Sequence, residues 1–172
     1  SNRAEGKAVA MQAAQTLVAQ HPDRDLRFVI VGDGPLADDL HREAEALGIA
    51  DRVVFPGYQE DVQPWIDLFD VGVVPSIFGE GFCSVGIEML AAGVPLVITD
   101  LPCFTGIYVA DRNVLQVPTR NAEALTCAVQ RILEDAELRD RLIEAGRETG
   151  RAYDMKRIAG AYTTYYDDLL AR

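Results

Sequence analysis

The chemistry in this chain concentrates in one short stretch, Glu80-Gly81-Phe82-Cys83-Ser84-Val85-Gly86-Ile87-Glu88. Seven residues separate its two carboxylates, and Glu88 is the only charged residue between Glu80 and Asp100. An ionised carboxylate among Val85, Ile87, Met89, Leu90 and Ala91 is costly to bury without a partner, and no neighbour in the sequence offers a positive charge. Ligand hydroxyls would satisfy it, because carboxylates accept hydrogen bonds and charged acceptors make the stronger ones. The expectation is therefore a buried Glu88 that a hydroxyl-bearing ligand satisfies. A partly exposed helix glutamate, or one paired with a distant arginine, is the plainer alternative.

The elements around these acids sharpen that expectation. Residues 71–74 form an apolar run closed by Pro75, and residues 84–92 read as a helix stopped by Gly93. In an open parallel sheet, ligands bind at the carboxyl ends of the strands, where Glu80 would lie. The first amides of the following helix lack partners within it and carry partial positive charge. They form a seat for a phosphate or diphosphate, and Gly81 would let that anion approach the backbone. Glu88 falls one turn below Ser84, roughly 6 Å away on the same face. Carboxylate, amides and carboxylate thus follow the order of sugar, diphosphate and ribose in a nucleotide-sugar.

The rest of the chain supplies the frame. At 172 residues and 49% apolar it is one domain with a full core. Its net charge of −11 argues against a nucleic-acid surface and against docking on anionic lipid. The start is polar and charged, without the form of a signal peptide, and the window 81–99 is broken by Glu88 and Pro95, so it reads as helix and strand rather than a membrane span. Cys83, Cys103 and Cys127 have no metal or redox spacing, which points to free thiols in a reducing cytoplasm.

Helical spacing covers residues 4–20, 36–47, 62–69, 122–133, 137–148 and 155–170, and apolar runs predict strands at 26–31, 53–55, 71–74, 94–99 and 114–117. Alternating strands and helices imply an α/β fold, a Rossmann-like, mostly parallel open sheet with helices on both faces. Such a sheet normally opens on a strand, whereas this chain opens on a helix. The expectation is a piece of a larger protein whose first strand is missing.

The stretch Pro75-Ser76 … Glu80-Gly81-Phe82 … Glu88-Met89-Leu90-Ala91-Ala92-Gly93-Val94-Pro95-Leu96-Val97 resembles the donor-binding motif of family 4 (group 1) retaining glycosyltransferases. FVIVGDGPL at 28–36, DRVVFPG at 51–57 and the tail at 115–129 resemble the same family, and the likeness covers most of residues 4–135. Those enzymes have the GT-B arrangement of two Rossmann-like domains facing a cleft. The resemblance implies the C-terminal, nucleotide-sugar-binding domain, with the acceptor-binding N-terminal domain absent. It implies retaining, metal-independent transfer of a hexose-type sugar from a UDP-, GDP- or ADP-linked donor, with no further cofactor, in a cytoplasmic parent that acts at the inner membrane face or in solution. Without its partner domain the chain is expected to catalyse little.

Carried onto this sequence, the resemblance assigns Glu88 to the ribose and Glu80 to the transferred sugar. Backbone amides of Phe82, Cys83, Ser84 and Val85, beside Gly81, would contact sugar and diphosphate. Arg3 and Lys7 would neutralise the leaving diphosphate. Gly34 would lie in a turn near the ligand, and Tyr58 and Gln59 would sit where the base docks. The chain departs from the pattern at Cys83, where glycine is usual, in the residues around Lys7, and in the loop 100–107, which lacks a glutamate often found there.

Other readings stay open. Gly32-Asp33-Gly34-Pro35-Leu36-Ala37 satisfies G-x-G-x-x-A, the dinucleotide fingerprint, but the following strand ends in Pro56-Gly57 with no acid for a ribose. A nucleotide-sugar-binding or assembly module without catalysis is a second, and half of a sugar-nucleotide epimerase a third, which the spacing of Glu80 and Glu88 disfavours. Tyr162, Tyr165, Tyr166 and Leu169 would expose an apolar patch on the last helix and favour weak self-association.

Overall fold

A computed structural model describes residues 2–78, 83–153, 163, 165, 166, 169 and 170, with residues 2–4 described by their backbone alone. Glu80, Gly81 and Phe82 therefore lie outside the described residues, as do the side chain of Arg3 and Tyr162.

Six helices of four residues or more alternate with five strands among the described residues. They run α1 (Asn2–Gln20), β1 (Phe28–Val31), α2 (Ala37–Ala46), β2 (Val53–Gly57), α3 (Gln63–Ile66), β3 (Gly72–Val74), α4 (Ser84–Ala92), β4 (Leu96–Thr99), β5 (Leu115–Val117), α5 (Ala122–Glu134) and α6 (Ala136–Ala152). Every strand pairing is parallel, as the alternation predicts. The strands form two sheets rather than one: β1 pairs with β2, and β4 lies between β3 and β5.

The three-stranded sheet is covered on both faces. Leu96 and Ile98 of β4 face a core with Ile87 and Leu90 of α4, Phe104 and Tyr108. Val97, between them, faces the opposite core with Ala13 and Leu17 of α1, Leu125 and Ile132 of α5 and Leu142 of α6. This period-two division explains why Leu96, Val97 and Ile98 are apolar in succession and why the whole run LVIT is buried, with no exposed face to reserve for polar residues. Met11 and Ala14 of α1 turn to a third core with Leu40 and Ala44 of α2 and Val53 of β2, so α1 serves both sheets.

Several lengths differ from the sequence reading. The helix expected over 62–69 is the single turn α3, with Pro64 at its start, because beyond Asp67 the amides of Leu68 and Phe69 tighten to i−3 bonds with Trp65 and Ile66. α6 runs four residues beyond its expected end at Glu148. Its added turn carries Gly150, which belongs to the contact with α4 described below. The expected final helix is described only in part: Tyr165, Tyr166 and Leu169 are helical and exposed, with the two tyrosine rings edge-on at 6.2 Å. Cys83 is buried, Cys103 and Cys127 are exposed, and none of the three is in a disulfide.

Candidate donor-binding site

The carboxyl ends of β3, β4 and β5 form one rim. β3 ends at Val74, and Thr99 at the end of β4 donates its hydroxyl to the Ser76 carbonyl. The Asp100 amide donates to the Val117 carbonyl at the end of β5, at 2.9 Å. The start of α1 is pressed against the same rim. A Cβ added to Gly6 would fall 2.2 Å from the Pro75 carbonyl oxygen, so only glycine permits the contact. Lys7, the next residue, is half-buried there. Arg3 lies one turn earlier in α1. Glu5, between them, pairs instead with Arg120 at 2.8 Å, which ties α1 to the turn before α5.

α4 begins on this rim. Cys83 is its N-cap but supplies no side-chain cap to the first amides, so no cap among the described residues takes the donors at the helix start. Ser84 and Val85 in the first turn are exposed. Gly93, at φ +83°, ends the helix in the left-handed conformation and directs the chain into β4.

Glu88 departs from its expected burial. It is exposed, and its carboxylate has no partner among the described residues. The apolar neighbours that suggested burial lie on other faces of the helix: Ile87, Met89 and Leu90 turn inward, whereas Ser84, Val85 and Glu88 form the outer face. Burial therefore supplies no argument for a ligand at Glu88. Its position one turn from the open helix start, on the same face as Ser84, is as expected.

α4 is held tightly. A Cβ at Gly150 would lie 2.5 Å from Ala91 Cα, and one at Gly146 would lie 2.9 Å from a Leu90 methyl, so the Gly-x3-Gly face of α6 sits directly on α4. On the other side Tyr108, 2% exposed, donates its hydroxyl to the Cys83 carbonyl at 2.5 Å. Its loop is fixed by Asn113, also 2% exposed. That side chain accepts from the Val109 amide at 2.7 Å and donates to the Ile107 carbonyl at 2.8 Å and to Thr149 on α6 at 2.7 Å. Neither Tyr108 nor Asn113 was singled out by sequence, where nothing distinguishes one tyrosine or asparagine in a loop from another.

The remaining candidates cluster at the carboxyl end of the other sheet. The Gly32 amide donates to the Gly57 carbonyl at 2.9 Å, which brings the turn containing Gly34 beside Tyr58. Gly34 has φ +154° and is exposed. Tyr58 is 75% exposed. The Gln59 side chain is committed internally: it donates to the Pro56 carbonyl at 2.9 Å and accepts from the Trp65 indole at 3.1 Å. Any contact from Gln59 to a ligand therefore falls to its backbone. The turn after β1 does join a strand to a helix, as a dinucleotide fingerprint requires, but β2 ends at Gly57 and is followed by Tyr58 rather than an acid.

The sequence matches the Glycosyl transferases group 1 family over residues 2–149. The chain belongs to that family. Among curated relatives, the lipopolysaccharide core biosynthesis glycosyltransferase LpsE of Rhizobium meliloti is 37% identical over 120 residues, covering 70% of this chain and 35% of LpsE. Among solved structures, a glycosyltransferase from Rickettsia africae superposes with a TM-score of 0.83 at 21% identity, covering 96% of this chain and 45% of that one. HepE of Anabaena, solved with UDP and glucose, superposes with a TM-score of 0.76 at 19% identity, covering 88% of this chain and 44% of that one. The fold is thus the Rossmann-like α/β fold of GT-B glycosyltransferases, as the motif resemblance implied. The chain spans well under half the length of the curated relatives it matches. No helix among the described residues is long and apolar enough to cross a membrane.

Proposed function

We propose that this chain is the nucleotide-sugar-binding domain of a retaining, metal-independent group 1 glycosyltransferase, and that its acceptor is held by a domain outside the chain. The single observation that carries the reading is the start of α4: uncapped amides on the strand rim, with Glu88 one turn in on the same exposed face, in a chain of this family. The capture of UDP and glucose by HepE supports it by analogy.

In this reading the diphosphate sits against the first amides of α4, where the helix dipole and unpaired N–H groups favour negative charge. Charge builds on that diphosphate as the sugar leaves, so donors already aimed at it stabilise the transition state more than the bound donor. Lys7 and Arg3, at the start of α1, add positive charge to the departing group. Glu88 accepts from the ribose hydroxyls. Glu80, with Gly81 and Phe82, holds the hexose-type sugar, and Tyr58 and Gln59 border the base, beside the turn of Gly34. Because the reaction draws on groups from a second domain, the chain alone binds donor weakly and transfers little.

The reading is tested by titrating the chain with UDP, GDP, ADP and NAD while following Trp65 fluorescence and thermal unfolding. Trp65 is half-buried and bonded to Gln59 beside Tyr58, so it stands close to the base region. A ligand at 100 times its Kd stabilises by about 2.7 kcal/mol. Stabilisation by one nucleoside diphosphate and not by NAD is expected. A response to NAD alone would sink the reading in favour of a dinucleotide site, and silence toward all four would favour an assembly module.

A further inference from the structure

We infer that Tyr108 is a positioning residue for the diphosphate-gripping start of α4, an inference that rests on the donor-binding reading above. A helix start can hold an anion only if its outward amides keep one direction. In most helices a Ser, Thr, Asp or Asn side chain at the N-cap fixes that first turn, but it does so by consuming one of those amides. α4 has Cys83 at this position and no side-chain cap. The first turn is held instead from beneath, through the N-cap carbonyl.

Three observations place Tyr108 in that role. Its hydroxyl donates to the Cys83 carbonyl at 2.5 Å, the same carbonyl that accepts the first helical bond from Ile87 at 3.3 Å. The helical bond is long against the usual 2.9–3.0 Å, so the tyrosine supplies the closer of the two donors. Second, Gly86 leaves the space the hydroxyl needs: a Cβ there would sit 2.5 Å from it. Third, the ring is anchored independently of α4. It lies edge-on to Phe104 at 5.3 Å, the Tyr108 carbonyl accepts from Gln116 of β5 at 3.0 Å, and its amide donates to the Phe104 carbonyl at 3.1 Å. Tyr108 thus transfers the rigidity of β5 and its loop to Cys83 while no described side chain caps the amides of the exposed Ser84 and Val85.

The test compares the whole chain with Tyr108→Phe, which keeps the ring and removes the hydroxyl. Binding of UDP, GDP and ADP is measured beside binding of uridine, guanosine and adenosine. The nucleosides share the base and ribose contacts but lack the phosphates. Tyr108→Phe is expected to weaken the diphosphate that the wild type prefers by about three- to tenfold, the range of one hydrogen bond, and to leave its nucleoside unchanged. Gly86→Ala, with the tyrosine intact but its hydroxyl displaced, is expected to give the same selective loss. Equal weakening of nucleoside and diphosphate would reduce Tyr108 to general packing and overturn the inference, as would unchanged diphosphate affinity in both variants. A wild type that binds none of the three diphosphates overturns the donor-binding reading and this inference with it, whereas a binding wild type with indifferent variants overturns this inference alone.

Discussion

Gly150 of α6 lies so close to Ala91 of α4 that a Cβ on the glycine would meet the Ala91 Cα at 2.5 Å and its amide nitrogen at 2.7 Å. The contact is backbone against backbone, with no flexible side chain to move aside. Gly150→Ala gains about 1 kcal/mol of helix propensity but overpacks the interface, at a cost of about 1–3 kcal/mol or more. Overpacking wins because neither helix can yield alone. The expected result is a net loss of up to about 2 kcal/mol in urea unfolding. Gly146→Ala meets only a Leu90 methyl, at 2.9 Å, and is expected to cost less. A reversed order of the two variants would show that α6 does not clamp α4 through Gly150.

Asn113 gives a second stability prediction. Its side chain closes three hydrogen bonds while 2% exposed, joining the loop of Tyr108 to α6. Asn113→Ala leaves the Val109 amide, the Ile107 carbonyl and the Thr149 hydroxyl without these partners, and each part-buried hydrogen bond lost costs about 0.5–1.5 kcal/mol. A loss of at least about 2 kcal/mol is expected, together with faster amide exchange at Val109. An Asn113→Ala chain as stable as wild type would mean that water replaces the side chain without penalty.

How much of this was legible beforehand follows from the range of each interaction. The run LVIT announces a strand buried on both faces because burial is written into every residue, and β4 is fully buried. Gly93 announces the end of α4 because left-handed backbone there excludes most side chains. FVIV at 28–31 reads equally apolar, yet β1 is only half-buried, because strand identity is local whereas pairing depends on which other strands are present. The same limit misplaced Glu88: its sequence neighbours are apolar, but a helix turns neighbours onto different faces. Weighing residues at i±3 and i±4 places Ser84 and Ala91, both exposed, beside it. Tyr108, Asn113 and Gly150 act on residues 25, 36 and 59 positions away, and no local pattern marks such partners.

Metal independence has its own test. Among the described residues no group of three or more His, Cys, Asp or Glu gathers to hold a metal ion. In the proposed reading the charge of the diphosphate is met by the amides of α4 and by Lys7 and Arg3, without a metal ion. Nucleoside-diphosphate affinity is expected to be the same in EDTA as in millimolar Mg²⁺. A strict requirement for Mg²⁺ would show that the ion, rather than protein groups, bridges the phosphates.

Glu88→Gln separates the ligand role from the structural one. Because Glu88 is exposed and unpartnered among the described residues, its removal should leave folding stability within about 0.5 kcal/mol of wild type. The amide keeps the shape but loses the charge that strengthens bonds from ribose hydroxyls, so affinity for the preferred nucleoside diphosphate should fall by about 1–3 kcal/mol. The matched 2′,3′-dideoxy diphosphate lacks those hydroxyls and should bind both proteins alike. Calorimetric titration of the four combinations isolates the coupling between carboxylate and ribose. If Glu88→Gln weakens the dideoxy ligand as much as the ribonucleotide, the carboxylate acts through general electrostatics and does not hold the ribose.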